Sequence, residues 1–215
     1  MKNSEEYIPA LKYNFLTPLY DFLLRWTLRE STFKSALVRQ ANIREQHQIL
    51  DIGCGTGTLT LLTKQMHPQS QIFGIDGDST ILEIAKRKSM STNIQFDRGM
   101  CYALPYSDNS FDRAISSLLF HHLTTDNKKK TLKEIFRILK PGGEVHIADW
   151  GKAQDPIMRT AFLLIQMLDG FKTTTDNVKG QLLCFLSEAD FQEVKEVKKY
   201  RTVYGTLSLY KGVKT

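Results

Sequence analysis

Four groups of residues in this chain have types and spacings that can do chemistry. Asp51-Ile52-Gly53-Cys54-Gly55-Thr56-Gly57 is a glycine-rich turn between a strand-like and a helix-like stretch. Glycines there let the backbone approach a ligand closely, and a helix N-terminus offers free N–H groups. Asp76 follows nineteen residues after Gly57, where a carboxylate can take both hydroxyls of a ribose. His121-His122 are imidazoles that titrate near neutral pH and can supply a general base; adjacent histidines can equally be one packed and one solvated. Asp149, before Trp150, can orient a substrate or cap the segment that follows. As metal ligands the histidines have no third donor at close spacing, and zinc sites need three or four, so no metal is expected.

The glycine spacing separates two ligand classes. A dinucleotide fingerprint is G-x-G-x-x-G and needs its third glycine at position 58, which is Thr58. This chain has G-x-G-x-G, which suits a smaller ligand whose amino-acid portion lies against the turn.

These residues need a scaffold of strands feeding helices, and the periodicity supplies one from about residue 47. Gln48–Ile52, Gln71–Asp76, Asn93–Arg98, Phe111–Ser117 and Glu144–Trp150 read as five strands. Between them, Thr58–His67, a helix capped by Asp78 or Ser79, and the stripe Leu132, Ile135, Phe136, Leu139 read as helices. Asp155-Pro156 starts a further helix that Gly170 closes, residues 171–178 read as a loop, and Gly180–Glu188 reads as helical. Phe191–Tyr200 and Val203–Val213 read as an antiparallel pair. The expectation is an α/β fold: a Rossmann-like, doubly wound, mostly parallel seven-stranded sheet with an antiparallel C-terminal strand pair. It is one domain over 1–215, with a helical cap over 1–46, a ligand-binding core over 47–150 and substrate-side helices and the strand pair over 151–215.

Composition narrows the class. At 215 residues, 41% hydrophobic and 24% charged, the chain is long enough for one domain with a sizeable core, which argues against disorder and fibrous repeats. The run Ala161–Leu168 is too short to span a bilayer, and Met1–Glu6 shows no signal core, so no transmembrane segment or secretion is expected. Three cysteines (Cys54, Cys101, Cys184) without a close pair fit a reducing cytoplasm, and Cys54 reads as an apolar filler of the turn. The net charge of +6 is concentrated in Lys195, Lys198, Lys199, Arg201, Lys211 and Lys214 against Glu196. That pattern reads as a solvated, lysine-protected edge strand ahead of a nucleic-acid or membrane footprint.

The motifs resemble those of class I S-adenosylmethionine (SAM)-dependent methyltransferases, of the group that includes the ubiquinone/menaquinone-biosynthesis methyltransferases. Asp51–Gly57, Gly74-Ile75-Asp76, Ala103–Tyr106 through Ser110-Phe111-Asp112, His121-His122 and Leu132–Gly143 carry the likeness in order over about half the chain. The resemblance implies SAM as cofactor, with Asp51, Gly53, Cys54, Gly55 and Gly57 at its methionine and ribose portions. It implies Asp76 on the ribose hydroxyls, Gly77 along the adenine, Met100 and Cys101 bordering it, and Ser117 and Leu118 near the methionine portion. Tyr20 resembles a cap tyrosine that closes over the cofactor. The family often places an acid where this chain has Met100.

The reading is methyl transfer to a small, apolar or amphiphilic acceptor such as a quinol precursor, an aromatic or a lipid-like compound, with His121, His122 and Asp149 as catalytic candidates. The alternatives are nucleic-acid methylation, a non-catalytic SAM-binding protein and a nicotinamide oxidoreductase. Ser116-Ser117-Leu118-Leu119 lacks the Asn/Asp-Pro-Pro-Tyr signature of base-amine methylation, and glycine spacing disfavours the oxidoreductase. No nucleic-acid partner is expected, peripheral contact with a membrane stays open, and the sequence leaves the oligomeric state unspecified.

Overall fold

The computed structural model describes residues 30–215, so Tyr20 and most of the expected cap over 1–46 lie outside the described residues. The elements are α1 (Glu30–Gln40), β1 (Gln48–Ile52), α2 (Thr58–Met66), β2 (Gln71–Asp76), α3 (Ser79–Lys88), β3 (Ile94–Arg98), β4 (Phe111–Ser117), a 3₁₀ turn (Phe120–His122), α4 (Thr125–Ile138), β5 (Leu139–Trp150), α5 (Pro156–Asp169), α6 (Phe171–Val178), α7 (Leu182–Glu188), β6 (Gln192–Thr202) and β7 (Gly205–Val213).

The seven strands form one sheet in the order β3-β2-β1-β4-β5-β7-β6. β1 to β5 pair in parallel, while β7 runs antiparallel to β5 and β6 antiparallel to β7. The expected sheet and its antiparallel strand pair are therefore both present. The alternation of side chains along each strand divides the core in two. Leu50, Ile52, Val145, Ile147 and Tyr210 point to one face, under Leu132, Ile135 and Ile138 of α4 and Leu182, Phe185 and Leu186 of α7. Ile49, Ile115, Ala148, Trp150, Leu207 and Leu209 point to the other, under Phe33, Leu37 and Val38 of α1, Leu59 of α2, and Phe162 and Ile165 of α5. Both faces are covered, as a parallel sheet requires.

Two stretches differ from their reading. Residues 171–178 form helix α6, not a loop. The apolar period is weak there, and it is tertiary packing that fixes the helix. Thr173, Thr174 and Asn177 are buried, and Asn177 Nδ2 donates to Asp149 and to the Trp150 carbonyl. Thr173 and Thr174 donate their hydroxyls back to the Asp169 and Gly170 carbonyls at 2.9 and 2.7 Å. β5 starts at Leu139 rather than Glu144, because Leu139 already pairs with Phe111 before the Pro141-Gly142-Gly143 irregularity. The lysines of β6 lie on the outer edge of the sheet, where like charges and two register shifts discourage further pairing.

The described end of the 1–46 segment is part of the sheet's covering. Leu37 and Val38 are fully buried. Beyond them, the Gln40 amide donates to the Tyr210 carbonyl at 3.0 Å, and Arg113 Nε donates to the Ala41 carbonyl at 2.7 Å. We expect Leu37→Ala to destabilise the protein by about 2–5 kcal/mol through the lost burial and the cavity left behind. A urea unfolding midpoint unchanged by that substitution would show that α1 is peripheral to the core.

Candidate active site

Strand order reverses between β1 and β4, and the crevice at their carboxyl ends is where such sheets bind ligands. The turn after β1 needs three left-handed backbone positions: φ is 67° at Gly53, 54° at Gly55 and 76° at Gly57. At Gly53 a side chain would also strike Leu119, whereas at Gly55 a Cβ would meet nothing within 4 Å among the described residues. The turn is tied to β2, since the N–H groups of Gly53 and Cys54 both donate to the Ile75 carbonyl, at 2.9 and 3.0 Å. Helix α2 then begins after Gly57, which supplies no side-chain cap, at the carboxyl end of β1.

Asp76 ends β2 with its carboxylate clamped. The Gly55 N–H donates to Oδ2 at 2.9 Å and the Asp78 N–H to Oδ1 at 3.0 Å. Each oxygen keeps a lone pair, so the group presents two fixed acceptors. Asp78 in turn caps α3 by accepting from Thr80 and Ile81. Gly77 follows, its carbonyl accepting from Arg98 Nε. The Gly99 N–H donates to the Asp76 carbonyl at 3.0 Å, which brings half-buried Met100 and Cys101 to the same rim. Asp97, the nearest acid on β3, is engaged by Gln95 and Tyr106.

Asp51 sits beneath the turn, buried, accepting from Thr60 Oγ1 at 2.6 Å. Burial raises its pKa from 3.8 to about 6 against the opposing effect of that hydrogen bond. Burial also pushes the Cys54 thiol far up, so it is no nucleophile. Across the crevice, the buried Ser117 hydroxyl has no partner among the described residues. Leu118 bends the chain sharply, with φ 58° and its N–H on the Ala148 carbonyl at 2.8 Å.

That bend delivers the histidine pair. Asp149, wholly buried at the end of β5, accepts from Phe120 N–H at 2.7 Å, Trp150 N–H at 2.7 Å and Asn177 Nδ2 at 3.2 Å, and meets His121 Nδ1 at 2.9 Å. The carboxylate of Asp149 is thereby engaged by protein groups and fixes the His121 ring. The opposite nitrogen of that ring, Nε2, looks at Asp169 Oδ2 across 3.6 Å. His122 stacks on His121, ring centres 3.9 Å apart. Burial disfavours a charge on His121, but Asp149 and then Asp169 outweigh it and raise its pKa; burial and the neighbouring ring hold His122 neutral, its pKa well lowered. Burial likewise raises Asp169.

The structure thus gathers Gly53, Gly55, Asp76, Gly77, Met100, Cys101, Ser117 and Leu118 around the crevice, with Asp51, Cys54 and Gly57 forming its floor. It sets His121 and His122 at the next strand end. Asp169 and Asn177 were not legible in the sequence, because each is brought in by a helix whose position depends on tertiary packing. Thr60 had a weak signal, a threonine one helical turn past the glycines.

The comparisons agree with this geometry. Residues 49–143 match the family model of a methyltransferase domain. The chain is 35% identical over 136 residues to the demethylmenaquinone methyltransferase of Lactobacillus johnsonii, covering 61% of this chain and 53% of that protein. It is 29% identical over 158 residues to the ubiquinone/menaquinone biosynthesis C-methyltransferase of Pseudoalteromonas translucida, covering 71% of this chain and 60% of that one. The chain spans about half the length of the curated relatives it matches. Among solved structures, a SAM-dependent methyltransferase of Methanosarcina mazei superposes with a TM-score of 0.66 at 21% identity, over 83% of this chain and 96% of that one. The family resemblance carried by the motifs is borne out, and the fold is that of these enzymes.

Asp51 gives the site a measurable pH signature. Its proton is held more tightly in the folded state, so its contribution to stability is full below pH 3.8 and is lost as pH rises through about 6. We expect Asp51→Asn to gain stability relative to the native protein by as much as about 3 kcal/mol between pH 4 and pH 7. Urea titrations at the two pH values that give the same difference between the proteins would refute this placement of the carboxyl.

Proposed function

We propose that this chain, which carries a methyltransferase domain over residues 49–143 within a Rossmann-like methyltransferase fold, is an enzyme that transfers a methyl group from SAM to a small acceptor. The observation that carries the reading is Asp76, held by the Gly55 and Asp78 N–H groups as a fixed pair of acceptors beside the open Gly55 position. A ribose diol needs such a pair, and the Ser117 hydroxyl, without a partner among the described residues, and the α2 N-terminus, without a side-chain cap, suit the polar amino-acid end of the same molecule.

In this reading the methionine portion lies along Gly53–Gly57, close to Ser117 and Leu118, and the ribose on Asp76. The adenine lies between Gly77 and the Met100-Cys101 rim. SAM supplies a methyl group already activated by its sulfonium, so the protein's task is alignment and exclusion of water. His121, His122 and Asp169 face the acceptor, with Asp149 fixing His121. Tyr20, a candidate to close over the cofactor, lies outside the described residues.

The acceptor is proposed to be an aromatic or quinol-like compound with an apolar portion. The names of the relatives support this, as does α5. Its Met158 carbonyl lies near Gly205, its Phe162 lies against Trp150, and its Asp169 faces His121, which lays it along the carboxyl ends of the strands. The same helix exposes Ile157, Leu164 and Met167. Among the described residues no helix is long and apolar enough to cross a membrane. Three free cysteines suit the proposed cytoplasmic setting.

The test is calorimetric titration with SAM, followed by transfer of labelled methyl to a naphthoquinol that lacks the methyl group. Asp76→Ala should weaken SAM binding about tenfold or more, as hydrogen bonds to a carboxylate worth roughly 1.5–3 kcal/mol are lost. Folded Asp76→Ala with native affinity would overturn the ribose assignment.

A further inference from the structure

We propose that His121, His122 and Asp169 bind a divalent cation of the zinc class, with one coordination position open to the acceptor's oxygen. The role toward an acceptor rests on the methyltransferase reading, whereas the cation site rests on geometry alone. Sequence spacing offered the histidines no third donor. The fold supplies it from the C-terminal end of α5, and one donor atom of each of the three side chains lies within 4.8 Å of the others. Bonds of about 2.0–2.2 Å from zinc to imidazole nitrogen or carboxylate oxygen put tetrahedral donors a little over 3 Å apart, so side-chain adjustments of about 1 Å close the site.

Three further features fit a cation. First, His121 meets Asp149 through Nδ1, at 2.9 Å, and turns Nε2 toward the cluster. A carboxylate behind the imidazole fixes the ring and its tautomer and strengthens the free nitrogen as a ligand, as in many metal sites. Asp149 is itself locked by three N–H donors, so the ring cannot swing away. Secondly, Asp169 Oδ2 stands 3.6 Å from His121 Nε2, beyond hydrogen-bonding distance, and its side chain is 5% exposed. Thirdly, charge is unbalanced. Asp149 and Asp169 are buried carboxylates, and a buried carboxylate is costly without a counter-charge. Among the described residues the nearby buried cation is Lys128, which is engaged by the Thr173 carbonyl and Asp176. The imidazole of His121 is the group both carboxylates face; a divalent cation between the histidines and Asp169 neutralises both.

Two imidazoles and one carboxylate leave a fourth position for water or for the acceptor, the arrangement of catalytic rather than structural zinc sites. An acceptor hydroxyl bound there loses its proton to water more readily. The resulting oxyanion forms the new bond to the methyl carbon; where a ring carbon conjugated with it forms that bond instead, the carbon then gives up its own proton to water as the ring's conjugation is restored. The methyl–sulfur bond breaks with its electron pair staying on sulfur.

The test uses the full chain freed of metal by a chelator and titrated with Co²⁺, whose visible absorption reports its ligands, then with Zn²⁺ in competition. One Co²⁺ per chain, displaced by Zn²⁺, is expected. Binding should fall at least a hundredfold in Asp169→Asn and in His122→Gln, and about ten- to a hundredfold in Asp149→Asn, where the ligands remain but their support is lost. Unfolding midpoints in chelator check that each variant folds; should Asp169→Asn fail, His122→Gln carries the same test. Absence of Co²⁺ and Zn²⁺ binding up to millimolar concentration, or binding unchanged in the folded variants, overturns the proposal in favour of an imidazolium held between two carboxylates. SAM titrated into the same samples separates the two readings: SAM binding without metal binding overturns only this inference, and metal binding without SAM binding overturns only the methyltransferase reading.

Discussion

A carboxylate buried at the end of β5 organises the half of the site proposed to face the acceptor. Asp149 has no access to water, so its charge has to be answered from inside the protein. The answers come from three separate parts of the chain: the Phe120 N–H and His121 ring after β4, the Trp150 N–H of its own strand, and the Asn177 amide on α6. Each of those donors is thereby fixed relative to the sheet. The 3₁₀ turn cannot rotate without uncovering the carboxylate, and α6 cannot lift away without stripping a donor from it. Asn177 also donates to the Trp150 carbonyl at 2.9 Å, which seals the end of the strand. The position of His121 is in this sense a consequence of satisfying one buried charge.

The half proposed to hold the cofactor is built by a different device, in which backbone groups rather than side chains supply the rigidity. The Ile75 carbonyl collects two N–H groups from the glycine turn, and Asp76 collects a third. Strand, turn and carboxylate are thus one hydrogen-bonded unit made from residues 51–78, close together in sequence. The acceptor half joins residues from 118 to 177 and depends on helices packed at a distance.

This contrast explains what was legible. The glycine turn, Asp76 and the five parallel strands could be read because local chemistry dictates them: positive φ at Gly53, Gly55 and Gly57, a strand-ending carboxylate, and apolar alternation. The antiparallel pair was also legible from period-2 alternation in 191–213. α6 was hidden because threonines at 173–175 carry little apolar period, and the helix is held by long-range contacts, the burial of Thr174 and the bonds from Asn177 to Asp149 and the Trp150 carbonyl. The junction at Leu139 was hidden because pairing with Phe111, a long-range event, begins the strand before the glycines. Asp169 was invisible as a partner of His121, since nothing in its neighbourhood Leu168-Asp169-Gly170 marks it apart from an ordinary helix end.

The sheet order also bears on how the chain is made. β7 comes after β6 in sequence yet lies between β5 and β6. While a ribosome is still adding residues 205–213, β5 has an open side along Glu144–Trp150, the strand that carries Asp149. An open strand edge invites pairing with other chains, and long-range pairing is slow to form. The nascent protein therefore passes through a stage in which its parallel half can be folded while β5 is still half-paired. A chaperone that shields β5 until residue 213 has emerged would raise the yield of folded protein without changing its final stability.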